Sequence, residues 1–181
     1  MINRKCSRPL TSQYHEGNQM KKSAACLKTV QESTTNMVQM VLPNDTNPLG
    51  DLLGGQVMHW IDIAGAIAAF RHCRCAVVTV SMDSLQFLQP IKMGEMAMIE
   101  AWVNRAFNTS LEVEVHVSSE NLHNGEQKKT STAYLTFVAL DESGRPRPIP
   151  KIKAITVLEK RRYREALHRR KARLAARKAQ S

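Results

Sequence analysis

The sequence lacks the marks of a membrane-spanning, secreted or metal-binding protein. It contains no apolar run of about 18 residues, the length that a transmembrane helix needs, and its N-terminus has no apolar segment of a signal peptide. It has 4 cysteines, of which Cys73 and Cys75 are separated by one residue, but no second pair at the spacing of metal ligands. We therefore expect no membrane contact, no disulfide framework and no metal, and we expect reduced thiols in the cytoplasm.

Acidic residues are scarce in only one part of the chain. The formal charge is +10, from 26 Lys and Arg against 16 Asp and Glu, and residues 151–181 hold 12 of the basic residues and 2 of the acidic ones. Residues 1–150 are therefore neutral overall, with 14 residues of each sign. A nucleic-acid-binding domain usually spreads its basic residues over a folded face, so we expect no nucleic acid partner.

The apolar pattern divides the chain into three parts. Residues 1–33 are polar and have no sustained period, which predicts a disordered or poorly ordered N-terminal tail. Residues 34–150 hold the long strand patterns and a long apolar helix pattern, and they are predicted to form one domain. Residues 151–181 are predicted to continue a proline-bounded exit loop into a basic C-terminal helix.

The basic helix is predicted over residues 157–180. Its apolar seam contains only Tyr163, Leu167 and Leu174 among many arginines, which is too narrow a seam for the helix to fold alone. Two interpretations remain open. The helix either docks along a neighbouring subunit or attracts a polyanionic ligand.

One helix and five strands are predicted within the central domain. The helix, over 54–72, is apolar on nearly every side, which is typical of a helix inside a protein. The third strand after it alternates strictly between apolar and polar residues, which indicates a sheet with one face in water. Asn124 and Gly125 form a primed hairpin sequence, so the sheet is predicted to be largely antiparallel. The predicted strands cover 34–42, 76–88, 95–107, 110–119 and 129–140.

These elements have one compact arrangement, an α+β hotdog fold in which an antiparallel sheet wraps around the single central helix. The basic C-terminal helix is then an addition to that fold. A helix that is wrapped on one side still has an apolar side to cover. A second copy of the chain would cover it, so we expect a homodimer.

The polar groups that could carry chemistry lie where a proline-bounded loop enters the central helix, in NPLGDLLGGQVMHWID. Gly54 and Gly55 allow a ligand to approach the backbone closely, and the unpaired N–H groups of the first helical turn point toward it. A helix N-terminus is a natural site for an oxyanion. Asp62 lies two turns further on among Trp, Ile, Ala and Gly, where a carboxylate is costly unless it has partners or a function.

Five segments in order resemble the acyl-CoA hydrolase family of hotdog-fold thioesterases, over residues 34–170. The segments are NPLGDLLGG, WIDIAGAIAA, VVTVSMDSLQFLQPI, NTSLEVEV and TAYLTFVALDESGRPRPIP. The resemblance implies hydrolysis of fatty acyl-CoA to free fatty acid and CoA, with no cofactor beyond the CoA of the substrate. It also implies a catalytic pair contributed by different protomers, Asn47 and Asp62 in this sequence, and assembly of the homodimers into a trimer of dimers.

Thioester hydrolysis needs a water held against the carbonyl carbon, a base for its proton and donors for the oxyanion. Asp62 is predicted to be the general base or the attacking nucleophile, and Asn47 to orient the water or the thioester. The N–H of Gly55 is predicted to contact the oxyanion. The residues predicted to bind the rest of the substrate are Leu53, Gly54, Thr79, Arg105, Asn108, Thr109 and Ser110.

Two positions depart from the family pattern. Leu53 stands where an aromatic residue is common, which alters the wall of the acyl pocket. Asp51 stands where a small or amide residue is common, which adds a negative charge near the place where the anionic substrate should bind.

Several alternatives remain open. Asn47 could serve only as an Asx-turn residue and Asp62 only as a buried cap for loop backbone, while His59 could act as a base held by Asp62. A hotdog dehydratase or hydratase would pair a His with a carboxylate, but residues 43–55 contain no His. A non-enzymatic acyl-CoA sensor would bind the same ligand without releasing a thiol.

Overall fold

The structure is a computed structural model that describes residues 27–179. A five-stranded sheet with one long helix against it forms the body of the described part. No helix within residues 27–179 combines the length and the apolar character needed to cross a membrane. The elements are β1 (Leu27–Thr29), β2 (Thr35–Met40), α1 (Gly54–Cys73), β3 (Val77–Phe87), β4 (Met96–Ala106), β5 (Ser110–Glu120), β6 (Gln127–Ala139), β7 (Lys151–Lys153) and α2 (Val157–Ala179).

The large sheet has the strand order β2-β4-β5-β6-β3, and every pair of neighbours in it is antiparallel. The long helix α1 packs against this sheet and contacts each of its five strands. The predicted α+β hotdog fold is therefore confirmed. Each of the predicted strands of the domain begins and ends within two residues of an observed strand, because the alternation that marks a strand is a local property.

Small residues on one side of α1 allow the helix to lie close to the sheet. Ala64 and Ala68 are fully buried there. A Cβ on Gly65 would lie 3.1 Å from the ring of Phe137 on β6, closer than side chains normally approach. Glycine at this position therefore sets the distance between helix and sheet.

The chain forms regular structure before residue 34, although the sequence pattern predicted a tail over 1–33. β1 pairs in parallel with β7, in the segment that was predicted to be an exit loop. Lys28 of β1 donates hydrogen bonds from Nζ to the carbonyl oxygens of Arg71 and His72, where α1 ends. The tail boundary was predicted too late because a three-residue strand is too short to show a period. The rest of the predicted tail, 1–26, lies outside the described residues.

α2 lies across the outer face of its own sheet and covers strand residues that were predicted to face water. Glu112 and Glu114 of β5 are 0% and 4% exposed. Arg169 donates hydrogen bonds to both carboxylate oxygens of Glu112, at 3.1 and 2.6 Å, and Arg162 lies 3.4 Å from Glu114. The prediction of a wet face on β5 was wrong here, because ion pairs with α2 take the place of water.

The docking face of α2 combines arginines with Tyr163 of the predicted apolar seam, which packs against the core. The guanidinium of Arg162 lies 4.3 Å from the centre of the Trp102 ring, and that of Arg169 lies 3.8 Å from the centre of the Tyr134 ring. Leu174, which the seam included, is exposed. Planar guanidinium groups stack well on aromatic faces, so these contacts bury apolar surface as well as charge. Neither interpretation from the sequence included this docking on the chain's own sheet.

His72 is expected to make the stability of the fold depend on pH. The side chain is fully buried, and its Nε2 lies 2.8 Å from the carbonyl oxygen of Pro150. Burial lowers the pKa of His72 below its ordinary value of 6.5, so at mildly acid pH the unfolded chain binds a proton that the folded chain does not. The free energy of unfolding is therefore fully retained above that value and falls as the pH drops below it, by at most about 1.4 kcal/mol per pH unit.

Urea unfolding at about pH 7.5 and about pH 5.5 measures this loss. The variant His72→Gln keeps an N–H donor for Pro150 but does not titrate, so its free energy of unfolding is expected to fall less between the two conditions than that of the wild type. Equal losses in the two proteins would contradict the prediction.

Candidate active site

Asn47 closes the loop that leads into α1. Its Oδ1 accepts hydrogen bonds from the backbone N–H groups of Leu49, at 2.9 Å, and Asp51, at 3.2 Å. Its own backbone N–H donates to the carbonyl oxygen of Asp51, and the N–H of Gly50 donates to the carbonyl oxygen of Asn47. Asn47 is therefore an Asx-turn residue. Its amide nitrogen Nδ2 has no acceptor among the residues that the structure describes, so this donor is available to a ligand.

A cavity of about 370 Å³ opens between this loop and the start of α1, and Asn47 is among the residues that line it. Leu53 precedes the helix and gives its first turn no side-chain hydrogen bond. Within residues 27–179 the N–H groups of Gly54 and Gly55 donate no hydrogen bond, so they are free to bind an anion, and of the two residues Gly54 lines the cavity. A Cβ on Gly55 would meet no atom within 4 Å, whereas one on Gly54 would lie 3.4 Å from the ring of Phe87.

Asp62 lies further along α1, and its carboxylate is held by β3. Thr79 donates a hydrogen bond from Oγ1 to Oδ1 of Asp62 at 2.7 Å. Asp62 follows Gly54 by eight residues, and a rise of 1.5 Å per residue places it about 12 Å along the helix from its start. Asp62 does not line the cavity that Asn47 lines. A single chain therefore brings Asp62 together with Thr79 but not with its own Asn47.

The negative charge of Asp51 is balanced within the chain. Its Oδ1 lies 2.5 Å from Nζ of Lys92, and the two residues form an antiparallel bridge next to the cavity. This ion pair means that the departure from the family pattern at Asp51 does not add net charge to the loop. Sequence reasoning missed Phe87, whose ring lines the cavity beside Gly54, because nothing in the apolar pattern of β3 distinguishes it.

Four of the residues predicted to bind substrate contact other parts of the chain. Arg105 donates from Nη1 to the carbonyl oxygen of Tyr163 at 3.1 Å, and its guanidinium lies 4.0 Å from the centre of the Tyr163 ring. The turn over 108–110 accepts backbone hydrogen bonds from Ile149 and Ala139. None of the four lines the cavity at the start of α1. Their predicted contact with substrate stays a prediction.

His59 is exposed on α1, and no hydrogen bond joins it to Asp62 in the described part of the chain. Thr79 holds the Asp62 carboxylate instead. The geometry therefore does not favour His59 as a base oriented by Asp62. Within residues 27–179, no group of three His, Cys, Asp or Glu side chains is arranged to hold a metal ion.

An antiparallel sheet around one helix, with donors at the start of that helix and a carboxylate two turns along it, is the hotdog arrangement with a candidate site at its helix. Residues 49–126 match the model of the family described as the thioesterase superfamily. A protein of Bacillus subtilis named as an acyl-CoA thioester hydrolase is 43% identical over 121 residues, which are 67% of this chain and 70% of that protein. The chain belongs to the thioesterase superfamily.

Other relatives are similar in sequence, and solved structures are similar in fold. Acyl-coenzyme A thioesterase 11 of Mus musculus is 41% identical over 138 residues, which are 76% of this chain but 23% of that longer protein. A hexameric acyl-CoA thioesterase superimposes with a TM-score of 0.81 at 40% identity, over 83% of this chain and 97% of that chain. An acyl-CoA hydrolase of Staphylococcus aureus, solved with butyryl coenzyme A, coenzyme A and coenzyme A disulfide, has a TM-score of 0.80 at 36% identity, over 85% and 94% of the two chains.

Proposed function

We propose that Asp62, Asn47 and the N–H of Gly55 are the working groups with which this thioesterase hydrolyses fatty acyl-CoA to a fatty acid and CoA. The chain is an acyl-CoA thioester hydrolase, and it is similar to a relative with this name and to a hydrolase solved with butyryl coenzyme A. The observation that carries the assignment of residues is the donor set at the start of α1. Asn47 and Gly54 line one cavity, and neither Nδ2 of Asn47 nor the N–H groups of Gly54 and Gly55 have an acceptor in the described part of the chain.

Asn47 is assigned to donate a hydrogen bond to the thioester carbonyl oxygen rather than to orient the attacking water. Its Oδ1 already accepts two hydrogen bonds from the loop, so its remaining group is the donor Nδ2. A donor suits the carbonyl oxygen, which gains negative charge as the carbon is attacked. The N–H of Gly55 supplies a second donor to the same oxygen, with the positive end of the α1 dipole behind it.

Asp62 is assigned to the attacking water. Thr79 donates to Oδ1 of the carboxylate, which leaves Oδ2 to accept the water proton. The water oxygen forms a bond to the carbonyl carbon, and the bond from that carbon to sulfur then breaks. The proton held by Asp62 passes to the CoA thiolate, so the products are a fatty acid and a free thiol.

Variants of the Staphylococcus aureus hydrolase support this choice of residues. Structures of that protein have been solved with Asn, Asp and Thr each replaced by Ala, at 35 to 36% identity to this chain. In its numbering the Asp follows the Asn by 15 positions and the Thr follows the Asp by 17. Asn47, Asp62 and Thr79 have the same two spacings.

We propose further that each site is shared between two chains of a homodimer. The 12 Å rise along α1, at about 1.5 Å per residue, separates the donors of one chain from its own carboxylate. Two antiparallel α1 helices that cross near Met58 would place each Asp62 beside the helix start of the partner, because Met58 is midway between Gly54 and Asp62. Met58 is exposed in the single chain, as are the large apolar residues Ile67 and Phe70 of α1 and Val78 and Val80 of β3.

Dimers of this kind are proposed to assemble into a trimer of dimers. Two related solved structures are hexameric, the thioesterase with 40% identity and a thioesterase of Yersinia pestis with 32% identity and a TM-score of 0.59. Sedimentation velocity on the purified protein would report the mass of the assembly directly.

We also place the reaction in the cytoplasm. Cys73 and Cys75 are free thiols close in the chain, and burial raises the pKa of Cys73 to about 12, so that its thiol stays protonated. Neighbouring thiols that remain reduced are typical of a reducing compartment.

Release of free thiol from acyl-CoA by the purified chain tests the function directly. A series of saturated acyl-CoA thioesters, assayed with a thiol reagent, should give turnover that depends on chain length. Binding of acyl-CoA without thiol release would indicate the sensor. Hydration of a 2-enoyl-CoA without thiol release would indicate the hydratase.

Gly55→Ala is expected to lower kcat by about tenfold or more while leaving the fold intact. The new Cβ meets no atom of the chain within 4 Å, and alanine is the better helix former by up to about 1 kcal/mol. The methyl group would instead occupy the space through which the thioester reaches the N–H. Steady-state kinetics and thermal unfolding measure the two effects.

Gly125→Ala is the matched control, because it places the same methyl group in a distant hairpin loop where φ is +71°. It is expected to lower the Tm and leave kcat unchanged. A Gly55→Ala protein with wild-type kcat would contradict the proposed oxyanion contact.

A further inference from the structure

The ion pair between Arg173 of α2 and Asp83 of β3 joins the basic helix to the strand that carries Thr79. Nη1 of Arg173 donates to Oδ2 of Asp83, and Ser81 donates from Oγ to Oδ1 of the same carboxylate. The side chains of Arg173 and Asp83 are 23% and 15% exposed, so the pair is largely withdrawn from water. Such a pair holds its geometry better than a surface ion pair does.

Asp83 occupies an irregular position in an edge strand. β3 lies at one edge of the large sheet, and within residues 27–179 it pairs with β6 alone. Its register shifts twice, between Thr79 and Ser81 and again between Met82 and Ser84, so that Asp83 is the extra residue of the second bulge. A bulge determines which face of the sheet the neighbouring side chains point to, and a shift of one residue turns each of them to the other face.

Three arginines determine where α2 lies on the sheet. Arg162, Arg169 and Arg173 are spaced by seven and four residues, so they share one face of the helix. Each meets a carboxylate of the sheet. The first two pairs attach α2 to β5 in the middle of the sheet, and the third extends the attachment to the β3 bulge at its edge.

We propose that Arg173 is a positioning residue for hydrolysis, because by holding Asp83 in the β3 bulge it keeps Thr79 in register to hydrogen-bond the Asp62 carboxylate. Thr79 lies four residues before Asp83 on the same strand, and its hydroxyl is the group that orients Asp62. This inference rests on the proposed role of Asp62. It assigns to the basic helix a task in catalysis that does not require it to touch the substrate.

The variant Arg173→Gln is expected to lower kcat for acyl-CoA by about 3- to 30-fold, the range of coupling between sites that do not touch, with KM changed by less than about twofold. Lys171→Gln is the matched control, because it removes the same charge from the exposed side of α2. It should leave kcat unchanged, so that long-range attraction of the substrate is separated from positioning. Arg173→Lys keeps the charge and should recover most of kcat.

A double-mutant cycle with Thr79→Val tests the route of the effect. In the Thr79→Val protein, Arg173→Gln should change kcat by less than about twofold, since the hydrogen bond that it supports is already absent. Asp83→Asn breaks the same pair from β3 and leaves α2 unaltered, so it should reproduce the fall in kcat. Asp83→Asn therefore still tests the ion pair if the Arg173→Gln protein does not fold.

The outcomes separate this inference from the proposed function. If Thr79→Val lowers kcat but Arg173→Gln and Asp83→Asn do not, the positioning role of Arg173 is overturned and the role of Asp62 stands. If the loss from Arg173→Gln is equally large in the Thr79→Val protein, Arg173 acts by another route and the inference is also overturned. If Thr79→Val keeps the wild-type kcat, the proposed orientation of Asp62 fails, and this inference fails with it.

Discussion

Asp62→Asn is expected to lower kcat for acyl-CoA by about a hundredfold or more, with KM little changed, because the variant keeps the shape of the side chain but cannot take the proton of the water. The hydroxyl of Thr79 can still donate to the amide oxygen, so the fold should be preserved. Asp62→Ala should lose a similar factor. Steady-state kinetics with a saturated acyl-CoA, together with thermal unfolding, measure the effect.

His59→Ala is the control for this prediction, and it should stay within about tenfold of wild type. His59 is exposed and close to Asp62 in sequence, so general damage to the helix would affect both variants. A His59→Ala protein without activity would instead establish the His-Asp pair. Full activity in Asp62→Ala would exclude Asp62 from the chemistry.

The choice between base and nucleophile for Asp62 can be made in a single turnover with excess enzyme in ¹⁸O-labelled water. If Asp62 is the base, every fatty acid released contains one labelled oxygen from water. If Asp62 is the nucleophile, it forms an anhydride with the acyl group. When water attacks the Asp62 carbonyl carbon of that anhydride, the first fatty acid contains an unlabelled oxygen from the enzyme. Because Asp62 is assigned to take the proton of the attacking water, we expect the label in the product.

Mixed oligomers of two inactive variants are expected to recover activity. Asn47→Asp keeps an oxygen to accept the N–H groups of Leu49 and Asp51 but removes the donor Nδ2, so it should fold and be inactive. Asp62→Ala should be inactive for the reason given above. In a mixed dimer with shared sites, one site combines the two defects and the other is intact. Random mixing of equal amounts makes about half of the dimers mixed, so it should restore about a quarter of the wild-type activity.

The experiment requires that the subunits exchange, which differently tagged chains captured on two successive columns would demonstrate. Mixed oligomers that form and stay inactive would show that Asn47 and Asp62 act within one chain's site. Each variant mixed with itself provides the background rate.

The order and boundaries of the main elements were predictable because their signals are local. Alternation over 110–119 and apolar character over 54–72 are read from neighbouring residues, and the structure has a strand and a helix there. Turn geometry was less well predicted. Asn124 and Gly125 do form part of a hairpin, but the backbone N–H of Asn121 bonds to Glu126, so the loop is longer than a two-residue turn.

The sequence by itself determined the hotdog fold and the groups at the start of α1, because strand alternation, helix character and turn residues act over a few positions. Tertiary structure decided which distant groups meet. Alternating Glu residues on β5 suit water and a basic helix equally well, and only the docking of α2 shows that Glu112 and Glu114 pair with arginines. The partnership of Thr79 with Asp62 was likewise decided by packing, because it depends on how an edge strand lies against a helix, which no local pattern encodes.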